Sequence, residues 1–74
     1  MREKVAKYIK LMEKWSKLIL EGKEKEGFAL MEKDGNEMED SFSREDWEEL
    51  IASVPNKQAQ IAWTEKMNKK FSKQ

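Results

Sequence analysis

The side chains of this sequence that could do chemistry are hydroxyls, amines and carboxylates, because it contains neither histidine nor cysteine. A serine nucleophile needs a base to take its proton, so the usual triads cannot be built and only a Ser-Lys arrangement stays open. None of the five serines sits in a motif that would set a lysine beside it, and Ser43 has a better use as a helix cap. Carboxylates act as acid and base where burial lifts one pKa toward neutrality. Here Glu37, Glu39 and Asp40, then Glu45, Asp46, Glu48 and Glu49, read as solvated faces and as the negative charge that suits a helix N-terminus. The acidic run from Asp34 to Asp46 fails as a calcium loop, since Gly35 stands second instead of sixth and Met38 occupies a ligand position. Gly22, Gly27 and Gly35 are too widely spaced for either phosphate-binding loop. The expectation is a protein without catalytic residues, cofactor or metal, and not an enzyme.

Two charged groupings suggest binding instead. Lys66, Lys69, Lys70 and Lys73 alternate with Trp63, Met67 and Phe71, a basic and aromatic mixture that could meet phosphates. Lysine stems edging a packed apolar stripe give the same pattern. A helix-turn-helix around Val54-Pro55 is disfavoured, because its turn lacks glycine and its first helix is acidic where it should cross a phosphate backbone. Residues Glu32 to Glu49 could imitate the charge spacing of nucleic acid, although an acidic surface that keeps the chain soluble accounts for them as well.

The elements that would position these groups must come from 74 residues, a length that buries only about 60% of the unfolded surface and leaves a thin core. Without cysteine or histidine, neither disulfides nor the commonest structural metal sites can reinforce it, which leaves association with another chain. With 41% charged residues and no long apolar run, neither a membrane span nor a secretory leader is expected, and the chain reads as cytoplasmic. Net charge is zero but uneven: residues 1 to 26 hold eight basic and five acidic side chains, residues 27 to 54 two and nine, residues 55 to 74 five and one. Opposite blocks can attract within a fold, across a dimer, or toward different partners.

One small domain, mostly helical and of α+β class, is expected, with an all-α bundle as the alternative. The pattern predicts a helix over 3–21, with Val5, Tyr8, Ile9, Leu11, Met12, Trp15, Leu18, Ile19 and Leu20 on one side and Gly22 closing it. That apolar arc spans roughly 200°, wider than an ordinary surface stripe. Asp34-Gly35-Asn36 is a tight-turn signal and predicts a β-hairpin over 28–42. Phe28, Met31, Met38 and Phe42 also fit heptad spacing, so a helix there would have to tolerate Gly27 and Gly35 at about 1 kcal/mol each. Ser43, Asp46 and the Phe42/Trp47 pair predict a capped helix over 44–53, ended by Pro55, and Asn56 starts another over 57–72. The leading functional expectation is a homodimeric module that regulates or inhibits a protein partner. Tyr8, Leu11, Trp15, Leu18, Trp63, Met67 and Phe71 are its candidate interface; the nucleic-acid alternative uses lysines of the first and last helices, with Lys66, Lys69, Lys70 and Lys73 as its named contacts.

Overall fold

The computed structural model describes residues 1–72, and every regular element among them is helical. Helix α1 runs Glu3–Leu20, α2 Glu24–Leu30, α3 Asn36–Ser41, α4 Arg44–Ser53 and α5 Lys57–Phe71, with a π-helical turn, Met31–Gly35, joining α2 to α3. The chain divides into two compact units, one of residues 6–41 and the other of residues 1–5 with 42 onward.

In the unit of residues 6–41, α1 ends in a Schellman turn. Lys23 N–H bonds to Leu18 O (2.8 Å), Gly22 N–H to Ile19 O (3.1 Å), and Gly22 takes the left-handed φ of 79° that this closure requires. The chain reverses there and runs back along α1. Near the reversal the Gly27 backbone lies so close to α1 that a Cβ would stand 3.1 Å from Ile19 Cδ1 and 3.3 Å from Trp15 Cδ1. Toward the other end, Tyr8 Oη donates to Glu39 Oε2 (2.6 Å).

The β-hairpin expected over 28–42 is absent: residues 24–41 are helical throughout, and the fold is all-helical rather than α+β. An isolated two-stranded ribbon is marginal in water, whereas this stretch as a helix sets one side against α1. Gly27 and Gly35, which argue against a helix in isolation, are both buried, Gly27 against Ile19 and Trp15 of α1. In an ideal α-helix, eight residues put them about 80° apart. The π turn, in which Asn36 N–H reaches Met31 O five residues back, advances less per residue and draws the two glycines toward one face. Heptad spacing placed Phe28 inward, yet Gly27 holds the buried position and Phe28 is 58% exposed.

The other unit has a core of Val5, Phe42, Trp47, Leu50 and Trp63. Ser43 caps α4 in a reciprocal box with Asp46, and the Phe42 and Trp47 rings meet edge to face at 5.2 Å as a hydrophobic staple. Val54, extended ahead of Pro55, ends α4, and Asn56 Oδ1 accepts from Ala59 N–H (3.0 Å) to start α5. Gln60 Nε2 then donates to both Ile51 O and Val54 O at 2.9 Å, tying the first turn of α5 to carbonyls at the C-terminal end of α4.

Gly35 separates the two folds of this segment by experiment. A hairpin turn would need positive φ there, and alanine would strain it; in the helix an added Cβ meets only the flexible Met31 methyl at 3.2 Å. Gly35→Ala is therefore expected to raise the unfolding free energy by up to about 1 kcal/mol in a urea melt, and Gly27→Ala to gain less because it presses on Ile19 Cδ1 and the Trp15 ring.

Candidate functional site

Asp46 is the charged side chain most deeply enclosed among the described residues, 4% exposed at the third position of α4. Its carboxylate accepts from Ser43 N–H through Oδ2 (2.9 Å) and from Arg2 Nε through Oδ1 (2.5 Å), while its own N–H donates to Ser43 Oγ (3.2 Å). Burial pushes its pKa up. The bonds from the Ser43 amide, the Arg2 guanidinium and the Ser43 side chain, with the charge of Arg2, outweigh that and hold it below the usual carboxylate value. A buried carboxyl held ionised, with a donor on each oxygen, is built as a helix cap and lacks the raised pKa of a general acid. Arg2 gains from the same pair, its pKa raised chiefly by the bond to Asp46, and its backbone N–H donates to Glu49 Oε1 (2.7 Å), fastening the N-terminus onto α4. Among the described residues, no three carboxylates converge on a point that could hold a metal ion.

The candidate interface residues divide by depth. Tyr8, Leu11 and Trp63 are buried within the single chain, whereas Trp15, Leu18, Met67 and Phe71 keep part of their surface in water. The largest apolar exposures lie elsewhere, at Leu20 (86%), at the N-terminal Met1 (75%), and at Phe28 (58%) and Ile61 (54%). Leu20 is the last residue of α1 and Phe28 sits in the second turn of α2, so both flank the Gly22 reversal. Ile61 stands on the side of α5 opposite Trp63, where the sequence already sets it apart from the helix's main stripe. Sequence reasoning missed Leu20 and Phe28 as exposed sites, and the only available signal was their lack of a partner position once Gly27 is read as the inward residue.

Of the four candidate nucleic-acid lysines, Lys70 Nζ donates to Phe42 O (2.9 Å) and lies 5.6 Å from the Phe71 ring centroid, so it fastens α5 to the start of α4. Lys66 and Lys69 are exposed, and Lys73 lies outside the described residues. No helix among the described residues is long and apolar enough to cross a membrane.

No family model, curated protein or solved structure matches this chain. The reading of the site rests on its own residues.

Because the folded-state pKa of Asp46 is depressed, its contribution is present above the unfolded value of about 4 and is lost as pH falls through the lower folded value. Asp46→Asn should cost about 1–2 kcal/mol at pH 7, as losses at helix caps do. The gap between it and the parent should close below about pH 4 when both are melted across that range. A gap unchanged by acid would contradict the ionised cap.

Proposed function

We propose that this chain is a small helical interaction module, homodimeric, that regulates or inhibits a protein partner by occupying its surface rather than by catalysis. The supporting observation is the apolar end of the unit of residues 6–41, where Leu20 and Phe28 stand exposed on either side of the Gly22 reversal and Trp15 and Leu18 are only partly covered. Apolar surface left in water forgoes about 25 cal/mol per Å², and in a chain with so little core such a loss is sustained where a partner recovers it. The charged residues Glu21, Lys23, Glu24, Lys25 and Glu26 around the reversal supply the polar rim that protein interfaces place around an apolar centre. The lysines of α5 give the nucleic-acid reading less support, since Lys70 is spent on the Phe42 carbonyl.

The test is capture from the native host with the parent chain and with a Leu20→Glu/Phe28→Glu variant. Both positions are exposed, so the far-ultraviolet circular dichroism of the variant should match the parent. A stoichiometric protein retained by the parent and depleted about tenfold or more by the variant is the expected result, since central apolar contacts carry most of an interface's energy. Equal retention by both chains, or no stoichiometric protein on either, would overturn the reading.

A further inference from the structure

Helix α5 presents Lys57, Ile61 and Glu65 at i, i+4 and i+8, all exposed, in a line about 12 Å long on one face. With Ile51 of α4, Gln60 and Thr64 they line a shallow open groove of about 390 Å³ whose apolar floor includes the 54%-exposed Ile61. Lys57 and Glu65 are too far apart along the helix to meet each other, since side chains interact there only three or four residues apart. Neither forms an ion pair with any described residue. Lys57 is also the first residue of α5, where the positive end of the helix dipole disfavours a cation. A negative charge from outside the chain would relieve it.

The order cation, isoleucine, anion is its own complement when reversed. We propose that a second copy of this chain docks on this face, α5 against antiparallel α5, about a two-fold axis passing beside Ile61. Each Lys57 then meets the partner's Glu65, each Glu65 meets the partner's Lys57, and the two Ile61 side chains close on each other with Ile51 at the flank. Such an interface is isologous, with one patch serving both sides, and every charge it covers is paired. An unrelated protein segment would have no reason to match this mirrored order. The patch is small, so the dimer belongs among weak, low-area associations and tightens at low salt. The inference rests on the homodimer part of the proposed function and assigns that role to α5, leaving Leu20 and Phe28 for the other partner.

Sedimentation equilibrium of the full chain at low salt tests it, using the parent, Ile61→Glu, Lys57→Glu, Glu65→Lys and the double reversal Lys57→Glu/Glu65→Lys. The parent is expected to dimerise, and Ile61→Glu to weaken the dimer by about tenfold or more. Each single reversal should weaken it by about tenfold, since two attractions become two repulsions, and the double reversal should restore the parent's affinity. A parent monomeric at high micromolar concentration overturns both this surface and the homodimer part of the proposed function. A dimer indifferent to Ile61→Glu, or a double reversal no tighter than the single ones, overturns this surface alone.

Discussion

The constraint on which the structure turns is the mismatch between apolar side chains and the volume that 74 residues can close. α1 alone carries an apolar arc of roughly 200°, and helices of this size ordinarily cover about half of that. The chain answers by burying Val5, Tyr8 and Leu11, half-covering Met12, Trp15, Leu18 and Ile19, and leaving Leu20 in water. Polar contacts fix what the core alone would hold loosely: Arg2 to Asp46 and Glu49, Tyr8 to Glu39, Gln60 to two carbonyls of α4, and Lys70 to Phe42 O. Several of these join residues far apart in sequence and so close long loops of the chain.

The same economy governs the charged residues that come into depth. Asp46, the charged side chain buried most deeply, is engaged in holding the start of α4 and is kept ionised there. What remains on the surface is apolar side chains framed by charges, on the reversal that follows α1 and along α5.

Local signals were legible where their physics is local. The cap at Ser43 with Asp46, the Phe42/Trp47 staple, the stop at Pro55, the cap at Asn56 and the left-handed Gly22 each depend on a few neighbouring residues, and each can be read from their order. Asp34-Gly35-Asn36 misled for the opposite reason. The positive φ that glycine permits is unused at Gly35, and the close approach that the absence of a side chain permits occurs at Gly27, against Ile19 and Trp15. Whether a glycine serves a turn or a close approach depends on what lies opposite, and the segment alone does not carry that. Of the candidate interface residues, Tyr8, Leu11 and Trp63 are large and regularly spaced, which is also what qualifies them for the core, where they lie. Ile61 breaks the stripe of its own helix and was the better marker of an outward surface.

The proposed function is recognition by faces left over from an incomplete core, with the α5 face meeting its own copy. Amide chemical shifts followed from about 10 μM to about 1 mM at low salt address this most directly, because weak self-association falls in that range. The account predicts concentration-dependent shifts concentrated on Lys57 to Glu65 and on Ile51. Spectra that do not change with concentration, or changes confined to α1, would contradict it.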